Sequence, residues 1–274
     1  MLHGSFKHFL LVSTILALIF SCRSLAEDIR GEVIGVDGQV YIIDAEGERE
    51  EVEQPSVIVR EMDTIVTAEG GYAIVRFSDG AFSVLNEKSR LRVEKTNWLS
   101  HLGGRIYFTF SKVFSGSRHI KTRFATLGIR GTTFIVYDDG SRQGVALDEG
   151  LLEIESPGAS FEIHKQEQLK EFETFRQQVL QQQRELQQEY EDYKKQLEQE
   201  FIEYRDRFTL QSDQFVQFDG TRVDQVLIDD DIKADFENFE AIAGDLLEQF
   251  REQARQHREM QQDEHELDED DFYE

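Results

Sequence analysis

The chain has 274 residues and a formal net charge of −25, from 55 acidic and 30 basic side chains. A surface this acidic favours solubility and repels a bare phosphate backbone, which argues against nucleic acid as a partner. The charge is lopsided, with net −19 from Lys165 onward, and the single cysteine, Cys22, excludes a disulfide within the chain.

Lys7, the apolar run Phe9 to Phe20 and the small residues after it have the three-part layout of a secretory signal over residues 1–26. The run is too short to span a bilayer comfortably. Two processing routes compete. Ser24-Leu25-Ala26 fits an ordinary cut ahead of Glu27, whereas Cys22 could become a lipidated first residue. Phe20 is bulky where a lipoprotein signal wants a small side chain, which favours the ordinary cut. No later stretch is long and apolar enough for a transmembrane helix. The expectation is a periplasmic protein, soluble unless anchored to the membrane as a lipoprotein through Cys22.

Residues 31–163 carry the signature of strands. Tyr72 to Ser78 alternates, with Ala73, Val75 and Phe77 on one face, then Asp79-Gly80 supplies turn chemistry and Phe82 and Val84 begin a return strand. Thr132 to Tyr137, Asp139-Gly140, then Val145 and Leu147 repeat that pattern, and Glu149-Gly150 introduces Leu151 to Ile154. Short β-runs punctuated by glycine predict an all-β sandwich or roll. Pro157-Gly158 marks its end.

Four landmarks stand in order along this segment. They are Asp63-Thr64-Ile65-Val66-Thr67 (D-x-I-x-T), the Asp79-Gly80 strand end, Gly131-Thr132-Thr133-Phe134-Ile135-Val136 (G-T-x-F-x-V) and the Glu149-Gly150 strand. Together they resemble the extracytoplasmic β-domain of the FecR family. The resemblance implies a periplasmic binding and sensing domain, joined in the best-known members through a membrane helix to a cytoplasmic anti-sigma segment. Here a signal-like segment stands where that plan would place the cytoplasmic part, so a stand-alone exported version is expected rather than direct sigma-factor control.

Beyond the β-domain, residues 165–208 contain no Gly or Pro. Leu169, Phe172, Val179, Leu186, Tyr190, Tyr193, Leu197, Tyr204 and Phe208 recur at spacings near three and four, with gaps at Arg176, Gln183 and Glu200. This predicts a long, coiled-coil-like α-helical C-terminal arm after the β-domain. Residues 209–228 read as a short β or turn connector, and 229–262 as a second amphipathic helix. Its face is built from Phe236, Phe239, Ile242, Leu246, Leu247 and Phe250, and Asp229-Asp230-Asp231 suits a helix N-terminus. Pairing of the two helices within one chain and homo-oligomerisation through the arm are the alternatives. Residues 263–274 are too acidic to pack and are expected to be disordered.

No G-x-S-x-G, H-E-x-x-H or phosphate loop occurs, so no catalytic residue, cofactor or enzyme activity is expected. Gly128-Ile129-Arg130-Gly131 lacks the Lys-Ser/Thr of a nucleotide loop and is expected to be a tight strand connection that needs glycine dihedrals. The histidines show no ligand spacing, so no metal is expected.

One segment stands above background. From Lys95 to Tyr137 there is no acid, while Lys95, Arg105, Lys112, Arg118, Lys121, Arg123 and Arg130 are basic. Trp98, Tyr107, Phe108, Phe110, Phe114 and Phe124 are interleaved. The bland interpretation puts the aromatics in the core and the bases in solvent. The functional one makes Arg105, Lys112, Arg118, Lys121 and Arg123 a docking strip for an envelope protein, an anionic envelope ligand or the chain's own acidic arm. The sequence thus points to a non-enzymatic envelope interaction protein; the alternative is a sensory subunit passing an iron or envelope signal to a separate membrane protein.

Overall fold

The computed structural model describes residues 29–94, 98–111, 118–165, 202–249, 251–252 and 255–256. The signal segment with Cys22, Lys112, the arm over residues 166–201 and the acidic tail lie outside the described residues.

The strands are β1 (Ile29–Asp37), β2 (Val40–Ile43), β3 (Arg49–Glu51), β4 (Val57–Arg60), β5 (Thr64–Thr67), β6 (Tyr72–Phe77), β7 (Phe82–Leu85), β8 (Arg90–Val93) and β9 (Trp98–Thr109). They continue with β10 (Arg118–Lys121), β11 (Thr126–Asp138), β12 (Gln143–Glu155), β13 (Phe161–Lys165), β14 (Ile202–Arg205), β15 (Arg207–Gln211), β16 (Gln214–Asp219) and β17 (Arg222–Leu227). One helix, α1 (Asp230–Ala243), follows, and a further helical stretch spans residues 245–249.

Hydrogen bonding sorts the strands into two ladders. The first runs β4-β1-β6-β7-β9-β11-β12-β16-β17-β13-β14, antiparallel except where β17 meets β13. The second runs β3-β2-β5-β8-β9-β10-β11-β12-β15, with β9 and β10 parallel. Strands β9, β11 and β12 belong to both. Each is bent where it changes ladder, at Gly103 and Gly104 (φ 146° and 88°), Gly131 (φ 60°) and Gly150 (φ 100°). Strands that switch sheets at bulges or bends make the corners of a β-sandwich. Gly128 to Gly131 is therefore a mid-strand corner rather than a connection between strands.

Inward-facing residues of both ladders form one core. Val75, Phe108, Phe134, Val145 and Val216 come from the first, and Ile65, Leu91, Leu127, Leu152 and Leu210 from the second. The β6–β7 and β11–β12 hairpins form as the sequence predicts, with Gly80 at φ 77° and Gly140 at φ 88°. The all-β expectation holds, but its boundary moves. Strands β15 and β16 pair with β12, so residues 207–219 belong to the sandwich and are not a connector beyond it.

The expectation of a helix running through Phe208 is corrected in its last turns. Tyr204 lies on β14, and Phe208 on β15. Burial along Arg207–Gln211 alternates strictly, with Phe208 and Leu210 inward, so a period of two governs where three-four spacing was expected. The apolar face of the second helix is committed to the sandwich, while the arm with which it was expected to pair falls at residues 166–201, outside the described residues. Ile232, Phe236, Phe239, Ala243 and Leu247 pack on the outer face of the first ladder, against Phe82, Val84, Tyr107, Ile135, Tyr137, Ala146 and Phe215. That ladder is apolar on both faces here, so one side needs a covering layer.

Candidate functional site

The helix begins where its sequence predicts. The Asp229 side chain accepts from the Ile232 amide at 2.9 Å, and Asp230 and Asp231 add negative charge to the first turn. It ends at Gly244, whose amide donates to the Glu240 carbonyl at 2.8 Å. Between these caps, residues at 232, 236, 239 and 243 fall on one stripe and seat the helix on the sheet. Phe239 stacks on Tyr107 at 5.9 Å between ring centroids, and Phe236 meets the same ring edge-on at 6.2 Å.

That seating brings Asp235 onto Arg105. The Arg105 guanidinium donates to Asp235 Oδ1 at 2.6 Å and to Asp139 Oδ2 at 3.1 Å. The Tyr137 hydroxyl donates to Asp235 Oδ2 at 3.1 Å. Arg105 and Arg142 both lie near the Tyr137 ring, at 5.4 and 5.9 Å, and Arg142 reaches within 3.8 Å of Asp231. Burial works against the Arg105 charge, but Asp139 and Asp235 outweigh it and raise its pKa. Burial also pushes the Asp139 carboxyl up, yet the Ser141 hydroxyl, the Ser141 and Arg142 amides and Arg105 hold it at about 2. Tyr137 is driven well above the usual phenol range, first by burial and then by the Asp235 charge. The result is a half-buried ionic cluster of two guanidiniums and three carboxylates, with Arg105 held between Asp139 and Asp235.

The proposed docking strip is not brought together as one open surface. Arg105 is taken by Asp139 and Asp235. Arg118 pairs with Asp79 and lies over the Phe110 ring, 5.6 Å from its centroid. Arg123 pairs with Asp138 but keeps 71% of its side chain exposed. Lys121 is exposed at the end of β10. The interleaved aromatics divide: Tyr107, Phe108, Phe110 and Phe124 are core, whereas Trp98 is 39% exposed and stacks on His119 at 4.4 Å.

Sequence reasoning missed Tyr137, Asp139, Arg142 and Asp235 as partners of Arg105. The available signal was the unbroken apolar run Phe134 to Tyr137, which marks a strand buried on both faces and hence a covering element. An open groove of about 550 Å³ beside β13, β14 and β15 is the other notable feature. Its charges are already matched, Lys165 with Glu203 at 2.5 Å and Arg207 with Glu153 at 2.8 Å.

Residues 63–153 match the family model described as FecR protein, so the chain carries a FecR-family domain there. That segment runs from the buried Asp63 through both hairpins to β12. The chain is also similar to two crystal structures, at 1.65 and 2.50 Å resolution, of a candidate anti-sigma factor from Parabacteroides distasonis ATCC 8503. Identity is 13%, the TM-score 0.40, and coverage 61% of this chain and 60% of each solved chain. This chain thus spans about 60% of the length of those relatives. The search of curated proteins found no match. FecR family proteins are envelope-associated, and among the described residues no helix is long and apolar enough to cross a membrane.

Proposed function

We propose that this protein is a non-enzymatic binding protein of the cell envelope, exported to the periplasm, whose FecR-type sandwich recognises an envelope protein or anionic envelope ligand. The FecR match over residues 63–153 carries this reading. Within the strip, Lys121 is exposed and Arg123, though paired with Asp138, keeps 71% of its side chain exposed, so these two can also meet an outside acid, whereas Arg105 and Arg118 are more buried and held by acids of the chain itself. The test is envelope capture by the wild-type chain against Lys121→Glu/Arg123→Glu, at low and high salt. A drop of about tenfold at low salt, shrinking as salt screens the wild-type interaction, supports the reading. Equal capture by both chains at low salt removes the strip from it.

The sensory alternative has its own support. A helix held across the sandwich by an ionic cluster would, on release, supply the two-state element that a signal-passing subunit requires. Here the discriminating observation is whether a membrane transporter or sensor copurifies only with a chain in which the helix is released.

A further inference from the structure

The outer face of the first ladder is apolar across β7, β9, β11, β12 and β16, and α1 lies along it. Three properties set α1 apart from the sandwich beneath. It contributes to no strand ladder, so it can leave without breaking one. It joins β17 through Ile228 and Asp229 alone. Its ionic fastening to the sandwich sits at its first half: Arg105 on Asp235 at 2.6 Å, with Arg142 within 3.8 Å of Asp231.

We propose that this face is a docking groove for an acidic amphipathic helix of a partner protein, and that α1 is the resident occupant which such a helix displaces. The recognised pattern is written in α1. Apolar residues stand at the spacing of Ile232, Phe236, Phe239 and Ala243, and an acid sits one position before the first aromatic, where it meets Arg105 and the Tyr137 hydroxyl. Helix-in-groove recognition uses such i, i+4, i+7 anchors, and the charge pair sets register and direction. Charge complementarity chooses the partner's sign: Arg105 and Arg142 flank the groove, while Asp231 and Asp235 are the acids α1 brings to them. The proposal deepens the binding reading above and rests on it.

The probe is a labelled synthetic peptide of residues 229–252, followed by fluorescence anisotropy against the full chain from Glu27. The native chain should take up the peptide weakly, because α1 competes. Asp235→Lys sets α1 against Arg105 and should raise peptide affinity at least tenfold, since the peptide keeps its aspartate. Adding Arg105→Glu should abolish that gain, because the exchanged charges seat α1 again. No gain in Asp235→Lys, with its circular dichroism unchanged, overturns the proposal. So does a doubling of solution mass without peptide uptake, which would make the occupant a second copy of the chain. Hydrogen exchange on the unaltered protein needs no variant: amides of α1 should exchange at least tenfold faster than those of β11. A single common rate would tie the helix to global unfolding and overturn the proposal as well. Neither measurement needs an envelope partner, so the groove and the general binding reading can fail independently.

Discussion

Arg105 and Asp235 are 130 residues apart in the chain, and their side chains meet at 2.6 Å. The same carboxylate receives the Tyr137 hydroxyl at 3.1 Å, so one acid on the helix satisfies two groups on adjacent strands of the sandwich. Because β9 and β11 fix Arg105 and Tyr137 side by side, the acid must arrive on an element whose apolar stripe is also in register. Charge and packing therefore specify one seating of α1.

Replacing that acid should cost more than a surface pair would. Asp235→Ala leaves the half-buried Arg105 with only Asp139 and removes the acceptor from the buried Tyr137, at a cost of about 2 kcal/mol. For a chain of this size that lowers the melting temperature by about 4–8 °C. In a double-mutant cycle with Arg105→Ala, the two losses should not add, which thermal melts of the four proteins will reveal. Strict additivity would mean the contact contributes nothing to stability.

The corner glycines differ in kind from the hairpin glycine. A Cβ on Gly150 would stand 2.3 Å from the Gly131 carbonyl oxygen, with φ at 100°. A Cβ on Gly140 meets nothing within 4 Å at φ 88°. Gly140→Ala should therefore cost only the backbone term, about 1–2 kcal/mol. Gly150→Ala adds a backbone overlap that a packed corner cannot absorb, and should cost about 3 kcal/mol or more. Urea unfolding of the two variants separates these effects. Similar losses would show that the corner relaxes and that close approach is not what selects glycine there.

His101 should make the fold sensitive to acid. It is 2% exposed on β9, and burial pulls its pKa down from 6.5 to about 4, partly opposed by the Asp138 charge. The fold thus holds the neutral imidazole, while the unfolded chain takes up a proton near 6.5. Between those values the unfolded state binds more protons, so stability falls as pH falls, by about 3 kcal/mol over the full window. Asp63 and Asp148, whose pKa values are raised chiefly by burial, act in the opposite direction. The informative quantity is therefore the difference between wild type and His101→Phe in urea unfolding at pH 7 and pH 4.5. Parallel pH profiles for the two proteins would exclude His101 as the source.

Much of the sandwich was legible because its signals are local. Asp79-Gly80 and Asp139-Gly140 lie between alternating runs and mark their hairpins within a few residues. The end of the arm was misread for a related reason. Tyr204 and Phe208 continue a three-four spacing set upstream, whereas Phe208 and Leu210 follow the period of two that their pairing with β12 requires. Helical character from Asp229 was equally legible from its cap and stripe, but its binding surface was not. Asp235 lies 98 residues from Tyr137 and 130 from Arg105, and no local pattern carries a contact across such a separation. The apolar run Phe134 to Tyr137 indicates that something covers β11 without saying what.

If α1 detaches as a unit, mutational losses along its stripe should saturate. Phe236 and Phe239 are 8% and 2% exposed, and both meet Tyr107. Taken alone, Phe→Ala at either position should cost about 3–5 kcal/mol. Docking of α1 is worth a finite amount, however, and once the helix is released a second truncation has nothing left to remove. The double variant Phe236→Ala/Phe239→Ala should then destabilise the sandwich little beyond the larger single loss, while trypsin gains access to Lys233 within the freed helix. Far-ultraviolet circular dichroism should show lost helix and retained strand signal, with a cooperative β transition still present. Full additivity, accompanied by loss of the β transition itself, would make α1 an inseparable part of the core.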